Sequence, residues 1–449
     1  MAIRPPLPPR PFELLTRDLF GSGLDFDDRF RRLMEADVGP TQNGAYLPWD
    51  ELRRRTPPSR LSLEEWWYTV KGARRSLLRD LPLEDRLGRP LRFAMPDPVT
   101  ERLQRIDRDA SGQILLSEEA PGAGHRDRYV VSSLIEESIM SSLLEGAATT
   151  RTEAKEMLRT DRAPSTEGER MVMNNFLAMR QVKGLLDQPL TPGLIRDLHR
   201  TLTQDAADAG TPGEYRGSDA DGTFGVWSGD QRLYVPPPHE DVPAMIEQAC
   251  TFANQTDGPF VHPVIKAVAL HFWIGFVHPF EDGNGRTARA LFYWQMLRER
   301  YWLFEFVSIS GVLKEAFAQY ARAYLHTETD DNDLTYFLLF HLDVIDRALD
   351  GVHAYVRRKT RELRETRAIL APSADLNHRQ IALLRHALQH PEAVYTIRSH
   401  RTSHGTVYQT ARTDLLGLSE RGLLDRRKRG RAFTFHVPPD LSERVRESE

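Results

Sequence analysis

The sequence has very little cysteine and no long apolar run. Cys250 is the single cysteine among 449 residues, which excludes an intramolecular disulfide and fits a reducing compartment. No CxxC or HExxH pattern occurs, so the common zinc signatures are missing. The opening Met-Ala-Ile-Arg-Pro-Pro is not a secretory signal, and no stretch is apolar for the length of a membrane span. We therefore expect a cytoplasmic protein that does not contact membranes.

An excess of charge of either sign is also missing. The chain has 60 Lys and Arg against 64 Asp and Glu, a formal net charge of −4. Such a balance does not favour nonspecific nucleic-acid binding by the whole chain. The length is sufficient for two or three domains with apolar cores.

One stretch, His278-Pro-Phe-Glu-Asp-Gly-Asn-Gly-Arg-Thr-Ala-Arg289, concentrates residues capable of chemistry. Before it, apolar residues recur at helical spacing from Val264 to Val277, and Pro279 disfavours helical geometry at His278. After it, helical spacing resumes from Arg286 to Leu297. The sequence predicts a buried helix that ends at His278, a glycine-rich turn, and a second helix whose free N–H groups face the turn.

This turn has the composition of a polyphosphate site. Gly283 and Gly285 let the backbone present several N–H groups, and a helix N-terminus adds partial positive charge. Arg286 and Arg289 are three residues apart and should project from the same side of the second helix. Two guanidinium groups beside such a turn favour a polyphosphate over a single carboxylate.

A base and a metal ligand complete the set. His278 is the one side chain in the stretch whose ordinary pKa is near neutrality, and Asp282 offers the single carboxylate that proteins often give to phosphate-bound Mg²⁺. The glycines also fit a loose dinucleotide-binding pattern, but that pattern needs a strand before it, whereas a helix is predicted here. A purely structural turn would not need this combination of residues.

The stretch resembles the signature of the Fic (Fido-fold) family, His-Pro-Phe-x-(Asp/Glu)-Gly-Asn-Gly-Arg-x-x-Arg, at every fixed position. The resemblance covers about residues 129–345. It implies a mainly α fold, a Fic-type helical bundle with a β-hairpin flap, that transfers AMP from Mg-ATP to a Ser, Thr or Tyr hydroxyl of a target protein. It implies His278 as the catalytic base, Asp282 as the Mg²⁺ ligand, and a nucleotide-binding set of Gly283, Asn284, Gly285, Arg286 and Arg289.

A second motif precedes this one. Residues 129–146 have helical spacing, and their end, from Ser141 through Glu145 to Gly146, resembles the inhibitory motif (Ser/Thr)-x-x-x-Glu-(Gly/Asn) of Fic proteins. Ser141 and Glu145 are four apart and share a helix face. The resemblance implies that Glu145 pairs with Arg289 and prevents the γ-phosphate of ATP from docking productively.

Short β-prone runs, 223–227 and 232–235, surround Ser228-Gly229-Asp230 and predict a hairpin. The resemblance implies a flap that docks the target segment by strand addition, although a structural hairpin remains an alternative. Other helices are expected at 61–81, 99–106, 312–325 and 333–370.

We expect four regions. They are an N-terminal extension at 1–120, in the simplest interpretation a packing extension, a Fic domain at 121–345, a helical linker at 346–375 and a winged helix-turn-helix domain at 376–449. Residues 376–436 contain 11 Arg and Lys against 4 acids. That local excess is typical of a DNA-binding module, but winged helices in enzymes also serve protein contacts or dimerisation.

The sequence leaves several alternatives open. The same site could remove AMP from a protein, transfer another phosphate-containing group, or sense nucleotide for a DNA-binding regulator. An intact His278 argues against pure sensing, which needs no base. The expected partners are an unidentified target protein and, as open alternatives, DNA at the winged helix and a second copy of the chain in a homodimer.

Overall fold

The computed structural model describes residues 5–21, 26–58, 61–111, 123–205, 210–218, 222–370, 376–429 and 432–447. Three predicted segments lie partly outside these ranges. They are the start of the N-terminal extension, the end of the linker, and the arginine-rich turn at 426–431. The chain forms two compact units, Met1–Val352 and His353–Glu449. Within the described ranges no helix is both long and apolar enough to cross a membrane.

Helices dominate both units, as the sequence predicts. The first part of the first unit contains α1 (Phe12–Phe20), α2 (Phe26–Glu35), α3 (Trp49–Leu52), α4 (Leu63–Arg75), β1 (Arg79–Glu84), β2 (Pro90–Phe93) and α5 (Asp97–Ile106). Next come α6 (Ala123–Leu144), α7 (Arg151–Thr160), α8 (Glu167–Gly184), α9 (Pro192–Thr203), β3 (Val226–Ser228), β4 (Gln231–Tyr234) and α10 (Val242–Asn254). The motif region and the segments after it form α11 (Pro263–Val277), α12 (Asn284–Arg298), α13 (Ile309–Glu315), α14 (Phe317–Thr329) and α15 (Thr335–Leu370).

α15 crosses the boundary between the units, and after it the second unit has the order helix, strand, two helices, two strands and a short helix. Its elements are α16 (His378–Gln389), β5 (Val394–Thr396), α17 (Ile397–His404), α18 (Tyr408–Glu420), β6 (Asp425–Arg429), β7 (Ala432–His436) and α19 (Leu441–Glu447). The strands pair antiparallel in the order β5-β7-β6. The winged helix-turn-helix domain expected at 376–449 stays a prediction, with which this order of elements is consistent.

The centre of the first unit is α11, a helix that is apolar on nearly every side. Almost all of its side chains are buried, including Phe272, Trp273 and Ile274. Helices of this type are found inside a bundle rather than on its surface. α12 packs directly against α11, so the turn between them is held at both ends by the core.

Two helix predictions were wrong. The helix expected at 61–81 ends at Arg75, and Leu81 and Leu83 alternate inward along β1. Pro82 explains the difference, because it disfavours helical geometry at Leu81 and cannot join a helix interior. The helix expected at 312–325 is two helices, α13 and α14, separated at Ala316, whose φ and ψ are −111° and 30°.

A buried network of charged and hydroxyl groups joins α4 to the start of α15 and the segment before it. Lys71 Nζ donates to Asp330 Oδ1 at 2.7 Å, and Tyr336 Oη donates to Asp330 Oδ2 at 2.6 Å. Arg74, fully buried, donates from Nη1 to Tyr336 Oη at 2.7 Å. The network ties the N-terminal extension into the first unit.

In the second unit, Asp414 connects three helices. Its carboxylate accepts from Arg379 Nε at 2.7 Å and lies 3.1 Å from His400 Nε2. Although burial alone raises the pKa of Asp414, the Arg379, Asn377 and His400 hydrogen bonds lower it to about 2. The charged form of Asp414 therefore stabilises the packing of α16, α17 and α18.

We predict that Lys71→Met lowers the free energy of unfolding of the first unit by about 3 kcal/mol, because it leaves the buried Asp330 carboxylate without its cation. Urea unfolding followed by tryptophan fluorescence reports this unit alone, since all 7 tryptophans precede residue 353. Arg347→Gln, which breaks an exposed pair with Glu315, is the control and should cost under about 1 kcal/mol. Equal losses in the two variants would contradict a structural role for the network.

Candidate active site

The turn between α11 and α12 is held by its own side chains. His278 ends α11 in the left-handed region, with φ 50° and ψ 59°, and its N–H donates to Ile274 O at 2.9 Å. Asn284 is buried, and its side-chain amide bridges the N–H and the C=O of Phe280 at 2.9 and 2.8 Å. The Asn284 side chain therefore closes the turn, and the part of this residue in nucleotide binding stays a prediction.

The N-terminus of α12 faces the same turn. Gly283 precedes it with φ 77°, a value that glycine adopts without strain, and the first-turn N–H groups of the helix lack intrahelical acceptors. Arg286 is buried and donates from Nη1 to Leu202 O at 2.9 Å and from Nη2 to Asp282 Oδ2 at 2.7 Å. Burial lowers the pKa of Arg286, and the neighbouring Asp282 carboxylate opposes that shift.

Arg289 is buried and contacts the end of α6. Its Nε donates to Ser141 Oγ at 2.8 Å, and its Nη2 donates to Ser141 O at 3.2 Å and to Glu145 Oε1 at 2.8 Å. Burial works against the charged guanidinium, but the Glu145 carboxylate holds the pKa of Arg289 above its usual value. The structure thus brings Ser141, Glu145 and Arg289 together, in the pairing that the resemblance implies. Gly146 follows with φ 91° and ends the helix.

The Glu145 carboxylate lies directly against Gly285. A Cβ at Gly285 would overlap Glu145 Oε1 and would lie 3.1 Å from Arg289 Nη1. Among the described side chains, Arg286 Nε and Arg289 Nη1 are buried donors without an acceptor in hydrogen-bonding geometry. Unpaired buried N–H groups beside a helix N-terminus favour an anion, and a carboxylate already occupies part of that space.

α6 is itself anchored to the bundle. Glu137, two turns before Glu145, is buried and accepts from Ser308 Oγ at 2.7 Å and from the N–H of Ser310 at 3.2 Å. The Ser310 hydroxyl also donates to it. Burial raises the pKa of Glu137 despite these donors. These contacts fix the helix face that carries Ser141 and Glu145.

His278 is largely buried, and burial is the main reason why its pKa lies below the ordinary value. The charges that act on it are Glu145 and Asp282, which raise the pKa, and Arg216, which lowers it. Nδ1 lies 3.2 Å from Gly275 O, which favours a proton on Nδ1 and leaves Nε2 as the basic nitrogen. The neutral form therefore dominates at pH 7.

The sequence motif lies within a region that matches a known family. Residues 189–296 match the sequence model of the Fic/DOC family. The chain carries a Fic domain. Two relatives are named protein adenylyltransferase Fic. The one from Drosophila persimilis is 28% identical to this chain over 208 residues, and the one from Drosophila virilis is 29% identical over 163 residues. Those alignments cover 44% and 35% of this chain but only 38% and 32% of the relatives.

The fold is shared with a solved structure as well. A Fic family protein from Desulfovibrio desulfuricans G20 superposes with a TM-score of 0.52 at 19% identity, over 77% of this chain and 97% of the other. At this identity the likeness concerns the fold alone. The predicted family resemblance and the mainly α, Fic-type fold are confirmed.

Two site residues of the Fic domain were missed by the sequence analysis. His199 stacks on Phe280 at 3.6 Å, accepts from the N–H of Gly213 at 2.9 Å, and lies with Nε2 2.9 Å from Asp282 O. Burial lowers its pKa to about 4, so it stays neutral and holds the turn.

Arg216, also buried, donates from Nε to His278 O at 2.8 Å. No local sequence pattern marks either residue, because their partners are distant in sequence.

Asp282 is the residue of the turn that could contact Mg²⁺. Its side chain is 45% exposed, and one of its two carboxylate oxygens, Oδ2, pairs with Arg286. Within the described part of the chain, no three His, Cys, Asp or Glu side chains are grouped to hold a metal by themselves. One exposed carboxylate beside a phosphate site suits an ion held mainly by phosphate oxygens and water.

We predict that the His278 imidazole titrates below pH 6.5 and that Glu145→Gln lowers the midpoint further, because the Glu145 charge favours the imidazolium. NMR of histidine-labelled protein measures this, with the signal assigned by its loss in His278→Ala. The control is Glu136→Gln, which removes a charge from the same helix where the carboxylate pairs with Arg151. A midpoint that moves equally in both variants, or in neither, would refute the proximity of the Glu145 charge.

Proposed function

We propose that this chain is a protein adenylyltransferase that moves AMP from ATP to a hydroxyl of a target protein. The observation that carries the proposal is the Glu145 carboxylate held by Arg289 against Gly285, next to a neutral His278. This arrangement supports an anion site at Arg289 within reach of His278 as a base. The relatives named adenylyltransferase support the same reaction.

His278 acts as the base. Nε2 takes the proton from a Ser, Thr or Tyr hydroxyl of the target, whose oxygen forms a bond to the α-phosphorus of ATP. The bond from the α-phosphorus to the bridging oxygen breaks in line, and pyrophosphate leaves. N–H groups at the start of α12, from Asn284 and Gly285, stabilise negative charge on the α-phosphoryl oxygens.

The phosphates of ATP bind at the turn, beside the N-terminus of α12. Arg289 binds the γ-phosphate once Glu145 has left. Arg286, which is held by Leu202 O and Asp282, adds positive charge to the site. Asp282 would hold Mg²⁺, and the ion would supply positive charge beside the leaving pyrophosphate.

Glu145 inhibits the reaction by competing for Arg289. One guanidinium cannot satisfy a carboxylate and a phosphate with the same N–H groups. Ser141 keeps Arg289 turned toward α6, and Glu137 keeps α6 in place. The resting enzyme therefore excludes the productive position of the γ-phosphate.

The hairpin β3–β4 receives the target. Val226 pairs with Tyr234 and Ser228 with Gln231, and the two strands form a sheet of their own in the described part of the chain. Such a hairpin can accept a third strand by main-chain hydrogen bonds. Tyr234 Oη donates to Phe276 O at 2.9 Å, so the hairpin is tied to the end of α11 that carries the base.

We predict that Glu145→Gly raises auto-adenylylation by roughly ten- to a hundred-fold. A charge-assisted pair of about 1.5–3 kcal/mol would suppress the productive nucleotide position by that factor. The change also leaves the buried Arg289 guanidinium without its carboxylate, so tryptophan fluorescence should first establish that the variant is folded. Label transfer from α-labelled ATP, with mass spectrometry of the labelled proteins, is the measurement.

Two controls complete this experiment. His278→Ala combined with Glu145→Gly should bind nucleotide and transfer no label. Glu136→Gly makes the same substitution on α6 at a carboxylate that pairs with Arg151 instead. Equal labelling by wild type and Glu145→Gly would remove the inhibitory role of Glu145, and labelling by the double variant would remove His278 from the reaction.

A second candidate function, DNA binding, belongs to the second unit. Exposed cationic residues lie on β6, where Arg426, Arg427 and Lys428 point to solvent, and on α18, where Arg412 does so. Val407 and Tyr408 at the start of α18 are 68% and 52% exposed. An exposed helix start beside a basic strand pair is the arrangement that winged helices use on duplex DNA.

We predict that the full-length chain binds a 20-base-pair duplex (about two helical turns) with an affinity that falls as salt rises. Arg427→Gln combined with Lys428→Gln should make the slope of log K against log salt less steep by about 2, since each lost phosphate contact removes about 0.9. Fluorescence anisotropy measures this, with Arg347→Gln in the first unit as control. If no binding is detected even at low salt, the DNA-binding proposal fails.

A further inference from the structure

Arg216 lies where the catalytic turn meets the flap hairpin. The residue is buried, and its backbone N–H donates to Pro279 O at 2.9 Å. From the side chain, Nε donates to His278 O at 2.8 Å, and Nη2 approaches Val277 O at 3.5 Å. One residue thus contacts three successive carbonyls at the end of α11.

These carbonyls need such a partner. The last C=O groups of a helix have no intrahelical donor and carry partial negative charge, which a cation at the C-terminus satisfies. His278 also holds a left-handed backbone conformation, which is uncommon for a residue with a side chain and requires support from its surroundings. The Arg216 guanidinium supplies that support from the carbonyl side.

The same guanidinium reaches both ends of the hairpin. Nη2 donates to Pro237 O, just after β4. The guanidinium carbon lies 4.8 Å from the centre of the Phe224 ring, just before β3, and that ring meets the His278 imidazole edge-on at 5.8 Å. The segments entering and leaving the hairpin are therefore fixed to the backbone of His278 through Arg216.

We infer that Arg216 is a positioning residue that fixes the His278 imidazole relative to the β3–β4 hairpin, so that a target hydroxyl presented by the hairpin meets Nε2. This inference rests on the proposed function. It differs from a role in nucleotide binding, because Arg216 contacts backbone carbonyls and the Phe224 ring on the hairpin side of the turn. Loss of Arg216 should therefore impair the transfer step and spare the ATP site.

The test uses the full chain with Glu145→Gly as parent. Arg216→Gln should lower the maximal rate of auto-adenylylation about ten- to a hundred-fold, the range expected when a base is misplaced by about 1 Å, with the KM for ATP within about two-fold of the parent. Arg216→Lys keeps the charge but cannot span His278 O and Pro237 O together, so it should restore part of the rate. A rate equal to that of the parent in both variants would overturn the inference.

Arg196→Gln is the matched control. Arg196 donates from Nε to Gly213 O at 2.7 Å and stacks near Tyr215, so it supports the same loop without contacting the end of α11. An equal loss of rate in Arg196→Gln and Arg216→Gln would mean that general loosening of the loop is responsible, which would also overturn the inference.

Titration of His278, which does not depend on enzyme activity, separates this inference from the proposed function. Arg216→Gln should raise the midpoint of the His278 titration, since it removes a cation that disfavours the imidazolium, and Arg216→Lys should leave the midpoint near that of the parent. A Glu145→Gly parent that transfers no label would contradict the proposed function while this titration still tests Arg216. An unchanged midpoint in folded Arg216→Gln, judged by tryptophan fluorescence, would refute the placement of Arg216 beside His278.

Discussion

Arg289 is fully buried, and a buried guanidinium must have an anion or strong acceptors around it. In this chain that requirement is met by Ser141 and Glu145 from a helix that is far away in sequence. The anion site of the Fic domain and the end of α6 are therefore two parts of one arrangement. Removal of the carboxylate leaves the buried cation with the Ser141 acceptors alone, which is the physical basis for the proposed exchange of the internal carboxylate for a phosphate.

The rest of the bundle would keep the proposed exchange local. α11 and α12 hold the turn at both ends, Asn284 and His199 close it, and Glu137 fixes α6 against Ser308 and Ser310. Because these contacts are satisfied independently of Glu145, the carboxylate can move without unfolding its surroundings. The proposed release of Glu145 would then require a change at the end of α6 and not a rearrangement of the core.

Much of the site could be predicted from sequence because its residues are close together in the chain or belong to a second short motif. The turn glycines, both arginines and the pairing of Glu145 with Arg289 follow from spacing and resemblance. Arg216 and His199 could not be found, since their contacts to residues 278 and 282 join segments 62 and 83 residues apart. The β1–β2 hairpin was missed because leucines around Pro82 were counted toward a helix, and β5 and α19 are too short to give a periodic pattern.

The most direct test of the central claim is a double-mutant cycle on Glu145 and Arg289, with initial rates of auto-adenylylation measured for wild type, Glu145→Gly, Arg289→Gln and the double variant. Tryptophan fluorescence should first establish that each variant is folded. If Glu145 acts by occupying Arg289, the activation caused by Glu145→Gly should disappear, to within about two-fold, when residue 289 is glutamine. An activation of the same size with and without Arg289 would show that Glu145 restrains the enzyme through some other contact.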